Sequence, residues 1–330
     1  MPKLLRLSAA LRFILTHPLN RQHKLRALGR FLRWQVGSRL APGPVIIPFV
    51  EGTRLIAQPG LMGATGIYYT GLYEFDEMAF TLHALRPGDR FVDVGAHIGA
   101  FSILAAGAVG AHALAIEPVP ASFAHLLDNI NLNGLSALVR PLNVGIAAQA
   151  DRLPFTTGKG AANGVVPAQS GAPGAAHLSS ALHLASTIAV DVLPLDALTA
   201  DFPPTILKID VEGYEHAVIA GATQTLADQR LLAILIELRG HGARYGFDEE
   251  HIHRTLLATG FRPYAYSPSA PFKGEPPSSL PPTRGEPEVG LRPLPGINQA
   301  AGTTLYIRDL PQVTQRLRTA RRFRVHGQQI

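Results

Sequence analysis

The chain has 330 residues, 46% of them apolar, which suffices to bury one large core with appendages. It contains no cysteine, which excludes disulfides, thiolate metal sites and cysteine nucleophiles and makes a reducing compartment, the cytoplasm, the simplest setting. The net charge of +6 is segregated: residues 1–50 carry nine Lys/Arg and no acid, residues 310–330 carry five Lys/Arg and no acid, and all 24 acids lie between. An acidic body argues against a nucleic-acid enzyme, whose reading surface puts positive charge on the folded domain.

Leu4, Leu7, Leu11, Ile14 and Leu15 fall at helical spacing, and Leu25, Leu28, Phe31 and Leu32 repeat it after Pro18. Residues 1–44 are therefore expected to form a basic amphipathic arm of two short helices. Such helices either pack on their own domain or lie, through residues 3–36, on an anionic membrane surface. No run approaches the ~18 apolar residues that span a bilayer. Arg12 interrupts the one candidate signal core, and no small-residue cleavage site follows it.

Residues 45–73, rich in Gly, β-branched and aromatic side chains, predict short strands and loops, followed by a helix over 77–85 and a turn at Pro87-Gly88-Asp89. An alternation then begins: strand 90–94, helix 100–109, strand 112–116, helix 121–132, strand 138–143. In the helix at 121–132, Phe123, Leu126, Leu127 and Ile130 make one apolar face. Residues 156–186 hold one charged side chain, Lys159, and no period, and predict a loop insertion. Strands follow at 187–192, 205–210 and 231–236, with helices at 214–227 and 249–258 and final strands at 261–266 and 303–308. Repeated strand and helix units predict a doubly wound, mostly parallel α/β sheet.

A second insertion is expected at 267–302, since residues 267–296 contain nine prolines and four glycines and predict a disordered or extended excursion. The main domain thus runs over 45–309. Residues 310–330 predict a solvated basic tail.

Two stretches carry chemistry. Asp93-Val94-Gly95-Ala96-His97-Ile98-Gly99 places an acid and two glycines at the end of a buried strand, where missing side chains let a ligand approach the backbone. The glycines do not follow the dinucleotide spacing, so NAD is disfavoured. Glu117 ends the next strand, 22 residues beyond Gly95, where a carboxylate can accept hydrogen bonds from two ribose hydroxyls. Adenosine without a pyrophosphate fits that pattern. His97, inside the turn, is expected only to cap or bond locally.

The second stretch, Leu207-Lys208-Ile209-Asp210-Val211-Glu212-Gly213-Tyr214-Glu215, puts acids at alternating positions where a strand gives way to a helix. With Asp93 to Gly99, Glu117-Pro118, Asn129 to Asn133, Gly221 and Glu237, it resembles the FkbM family of S-adenosylmethionine-dependent methyltransferases, within the class I methyltransferase fold. The resemblance covers roughly residues 68–266 plus a last strand near Thr304. It implies a seven-stranded Rossmann-like sheet with Asp93, Gly95 and Gly99 around the amino-acid part of S-adenosyl-L-methionine and Glu117 on its ribose. Asp210 and Glu212 would flank the transferred methyl.

Methylation of a hydroxyl needs a group that takes its proton, and Asp210, Glu212, Glu237 and His241 are the candidates, Asp210 first. Lys208, Asp210 and Glu215 could instead form an ion-pair network that only shapes the pocket. A divalent metal on Asp210, Glu212 and Glu237 is an alternative not favoured here, and no metal ligands are assigned. The expected function is O-methylation of a sugar, polysaccharide or natural-product acceptor. Two alternatives are a catalytically silent relative that binds a partner or membrane, and an N-methyltransferase, although the Asp210-Val211-Glu212-Gly213 stretch lacks the prolines usual for the latter.

Overall fold

A computed structural model describes residues 3–158, 162–167, 186–268, 289–299 and 301–330. The amino-terminal spacing gives two helices, α1 (Lys3–Thr16) and α2 (Lys24–Leu40). On α2, Ala27, Phe31 and Trp34 turn inward. Asn20, buried between the helices, donates to the carbonyls of Ile14 and Tyr69 and accepts from Arg30, tying the arm to the body. A hairpin follows, β1 (Val45–Pro48) with β2 (Arg54–Ala57). Residues 62–70, expected as strand or loop, instead form the helix α3 (Met62–Thr70). Tertiary packing overrides local preference there: a Cβ on Gly66 would lie 2.3 Å from the Tyr73 ring, so the helix lies close against the segment that follows it.

After helix α4 (Phe75–Ala84) come strand β3 (Arg90–Val94), α5 (Ala100–Ile103) with a π-helical turn Leu104–Val109, β4 (His112–Ile116), α6 (Pro120–Leu132) and β5 (Val139–Leu142). The strands β6 (Gly145–Ile146), β7 (Asp151–Thr156) and β8 (Thr187–Leu193) make a separate small sheet in the order β6-β8-β7. The main sheet continues with β9 (Ile206–Ile209), β10 (Ala233–Glu237), β11 (Arg262–Tyr266), β12 (Leu291–Pro293) and β13 (Thr303–Ile307). Its order is β12-β11-β13-β10-β9-β3-β4-β5, with β3, β4, β5, β9 and β10 mutually parallel and β13 antiparallel. The expected seven strands are present, and β12 adds an eighth at the edge.

Alternation along the strands explains the layering. Phe91, Ala113, Ala115 and Leu235 face an apolar cluster that includes α4 and α6, while Val92, Val94, Leu114 and Ile236 face a second cluster on the other side. Both sheet faces are therefore covered, as a doubly wound α/β sheet requires. The asparagines near the end of α6 hold it in place: Asn129 donates to the Ile98 carbonyl and accepts from the Ile56 amide, and Asn133 bonds both ways with the Arg54 backbone.

Three expectations change. The helix predicted over 214–227 is two helices, Glu215–Ala220 and Thr223–Ala227, parted where a Cβ on Gly221 would lie 2.2 Å from the Ala147 carbonyl. The predicted solvated tail is structured: helix Leu310–Arg318 buries Val313 and Leu317, and a hairpin of β14 (Arg324–Val325) with β15 (Gln328–Gln329) buries Val325. Its arginines serve as ties, Arg316 to Asp89 and Arg321 to the Ala108 carbonyl. The proline-rich excursion ends in the ordered edge strand β12, with Leu291 buried, while residues 269–288 lie outside the described residues. Most of the insertion at 156–186 also lies outside them.

Candidate active site

The carboxyl ends of β3, β4, β9 and β10 open into a cavity of about 690 Å3, where open parallel sheets bind their ligands. Register brings its charged groups together. Asp93 on β3 sits directly beside Lys208 on β9, and paired residues in neighbouring strands project to the same face. Asp93 is 1% exposed; its Oδ2 accepts from the Ser102 hydroxyl at 2.8 Å, and its Oδ1 is buried without a hydrogen-bond partner among the described residues. Buried carboxylate oxygens are nearly always bonded, so an orphan facing a cavity marks a place for a ligand's donor.

Gly95 and Gly99 both have positive φ, and close packing explains each. A Cβ on Gly95 would lie 1.9 Å from the Asp210 carbonyl oxygen, and one on Gly99 would lie 2.4 Å from Leu126 Cδ1. The amides of Gly95 and Ala96 both donate to the Ile116 carbonyl, at 3.0 and 2.9 Å. The turn's backbone is therefore spent on joining β3 to β4, and Gly95 offers the cavity space rather than a free donor. Gly99 does not line the cavity.

Glu117, buried at the end of β4, accepts from the His97 amide through Oε2 and from the Val119 amide through Oε1, both at 2.9 Å. Each carboxylate oxygen keeps a second lone pair for a ligand hydroxyl. Local bonding is thus the part His97 plays through its backbone, with its φ of 50° bending the turn. Its ring Nε2 is buried without a partner among the described residues.

On the other wall, Lys208 Nζ lies 2.9 Å from Asp210 Oδ2 and 4.7 Å from the centre of the Phe101 ring. Burial lowers the Lys208 pKa, but the carboxylates of Asp210, Asp93 and Glu74 outweigh it and the net shift is upward. Burial likewise works to raise Asp210, yet the Lys208 charge and hydrogen bonds from Lys208 and Glu237 hold it below the ordinary carboxylate range. Glu237 is pushed up to about 8 by burial and by the Asp210 and Glu212 charges, while Arg239 lies 2.9 Å from it. The pair therefore divides its roles: Asp210 ionised, Glu237 protonated at neutral pH.

Glu212 adopts a φ of 56° and lies 3.5 Å from His241 Nδ1. All four predicted acceptor-side residues are therefore neighbours, although His241 is absent from the cavity lining. Glu212, Glu237 and His241 each offer one ligand atom within 4.8 Å of the others, a spacing that could hold a cation. Glu215, outside the cavity lining, accepts from the Val211 and Gly213 amides at 3.2 and 3.0 Å, fixing the loop that carries Asp210 and Glu212.

Glu74 escaped the sequence reading. It precedes α4, lines the cavity near Lys208 and Asp210, and is pushed up to about 7 by burial. Its only local signal is an acid at a helix start, which is commonplace. Phe13, His17 and Tyr73 also line the cavity, so α1 and the loop before α4 close one side of it.

Burial raises Glu117 and Glu215 to about 7 as well. An acid with a raised folded pKa keeps its proton in the folded state where the unfolded chain has lost it, so stability falls as pH climbs to the folded value. Buried His17 and His83 and the half-buried His326, lowered by desolvation to about 4, act in the opposite sense, but only up to the unfolded imidazole value near ~6.5. Above that the acids act alone. The ligand-free protein is expected to melt at progressively lower temperature between about pH 6.5 and about pH 8.5, and a flat or rising Tm in calorimetry across that window would contradict these buried acids.

Residues 93–263 match the Methyltransferase FkbM domain family, a span that begins at Asp93 and contains every site residue expected from the sequence. The chain belongs to this family. Its mostly parallel, Rossmann-like sheet is the class I methyltransferase fold. Among solved structures it is similar to an FkbM methyltransferase from Methylobacillus flagellatus KT, at 16% identity, covering 74% of this chain and 52% of that one with a TM-score of 0.39. It is also similar to a precorrin-6y C5,15-methyltransferase from Geobacter metallireducens GS-15, at 15% identity, covering 56% and 71% with a TM-score of 0.32. The FkbM chain described here thus spans about half the length of the Methylobacillus protein. No curated protein sequence matches it.

Proposed function

We propose that the protein transfers a methyl group from S-adenosyl-L-methionine to a hydroxyl oxygen of a sugar, polysaccharide or natural-product acceptor. The observation that carries the donor assignment is the orphaned Asp93 Oδ1 in the same cavity as Glu117. Asp93 would accept from the donor's ammonium, Glu117 from its ribose hydroxyls. When bound, the donor supplies an electrophilic methyl on a sulfonium. Eight carboxyl side chains against Lys208 and Arg239 line the cavity, a balance that favours a cationic ligand.

Asp210 is the group proposed to take the acceptor's proton. It is held ionised at neutral pH by Lys208, and Glu237 beside it keeps its proton and so orients Asp210 without competing for the acceptor's. Glu212 lines the same cavity with His241 behind it at 3.5 Å, where it would position the acceptor. Phe13, His17 and Tyr73 offer flat apolar faces opposite, suited to the less polar side of a sugar or polyketide ring.

Titration calorimetry tests the donor site. Glu117→Gln removes one charged acceptor while preserving shape, and each charge-assisted hydrogen bond contributes about 1.5–3 kcal/mol. Binding of S-adenosylmethionine and of S-adenosylhomocysteine should therefore weaken alike, by roughly tenfold to more than a hundredfold. Unchanged affinity for both would remove Glu117 from the donor site and, with it, the adenosine reading.

A further inference from the structure

The outward face of α2 is apolar where a water-exposed helix should be polar. Leu25, Leu32, Val36 and Leu40 are 86%, 53%, 56% and 80% exposed, although Ala27, Phe31 and Trp34 already satisfy the core from the opposite side. At ~100° per residue the four project within an arc of about 80°, so they form one stripe rather than scattered exposures. Arg26, Arg33 and Arg39, all exposed, border that stripe. The first 50 residues contain no acid.

We propose that this face docks the protein on an anionic lipid surface, with α2 lying in the plane of the interface. Charge selects the occupant. A second copy of the chain would bring two acid-free basic faces together, which repel, whereas an anionic bilayer matches both the stripe and its arginine border. All 24 acids lie within residues 51–309, so attraction to such a surface comes from the acid-free ends of the chain. No described helix is long and apolar enough to cross a membrane, so the contact is peripheral. Helix α1, packed on α2, supplies Phe13 and Thr16 to the cavity wall, with His17 just beyond its end, and docking therefore holds that wall close to the lipid.

Vesicle co-sedimentation of the full chain tests this, using phosphatidylcholine vesicles with and without 30 mol% phosphatidylglycerol. Partitioning should be at least tenfold stronger with the anionic lipid and should fall as salt is raised. Leu32→Ser/Val36→Ser should release the protein from the vesicles, and Arg26→Gln/Arg33→Gln/Arg39→Gln should weaken partitioning by roughly fivefold per arginine. Because these side chains are exposed, thermal melting and donor binding should stay at parental values in both variants. Equal partitioning on both vesicle types, or none on either, overturns the proposal. So does a dimer in light scattering that the Leu32→Ser/Val36→Ser change converts to a monomer, because the stripe would then belong to a second copy.

Discussion

Gly95→Ala is expected to be strongly destabilising. The new Cβ would lie 1.9 Å from the Asp210 carbonyl oxygen, a backbone atom that cannot swing aside, and the residue's φ of 84° is strained for any L side chain. Left-handed strain costs roughly 1–2 kcal/mol and overpacking about 1–3 kcal/mol or more, against a total stability on the order of 5–15 kcal/mol. Gly88 separates the two effects, since its φ is 82° but nothing lies within 4 Å of its Cβ position. Gly88→Ala should lower the urea midpoint modestly and Gly95→Ala drastically. Equal midpoints for the two variants would mean that the junction of β3 with β9 is looser than its geometry.

Asp210→Asn is expected to lower kcat by on the order of 10²–10⁴, the contribution of a positioned proton acceptor, while donor affinity changes little. The competing role is structural: Asp210 lies 2.9 Å from buried Lys208, and the variant removes the largest of the carboxylate charges that hold that ammonium. Lys208→Met tells the two apart. Removing the positive charge that most favours the Asp210 carboxylate raises its pKa, so a base role predicts that the acidic limb of the pH–rate profile moves to higher pH while activity persists above it. A purely structural pair predicts equal losses of kcat in both variants with no such movement. Since Asp210 is proposed to act alone, parental protein treated with EDTA should retain its rate; loss of activity restored by a divalent cation would transfer the role to Glu212, Glu237 and His241, whose ligand atoms lie within 4.8 Å.

Much of the site was legible because its signals are local. An acid closing an apolar strand, a glycine that only a tight turn requires, and a carboxylate one strand later can be read without knowing what they touch. Asp93, Gly95, Glu117 and Asp210 all line one cavity, as their strand ends imply. Gly99 shows the limit of that reading: it is required, but by Leu126 rather than by a ligand. Glu74 shows another. Its sequence neighbours say nothing of Lys208, 134 residues away, and only the tertiary structure brings both to one cavity.

The sequence by itself determined the alternation of strands and helices, the family, and the acids at the strand ends, because apolar periodicity and glycine turns are properties of neighbouring residues. Tertiary structure alone decided that residues 62–70 are helical, that the carboxyl-terminal arginines brace the body, and that α1 walls the cavity while α2 leaves an apolar face outside. Those outcomes depend on which surfaces become buried together. Burial is a sum over contacts distant in the chain, and no local pattern encodes it.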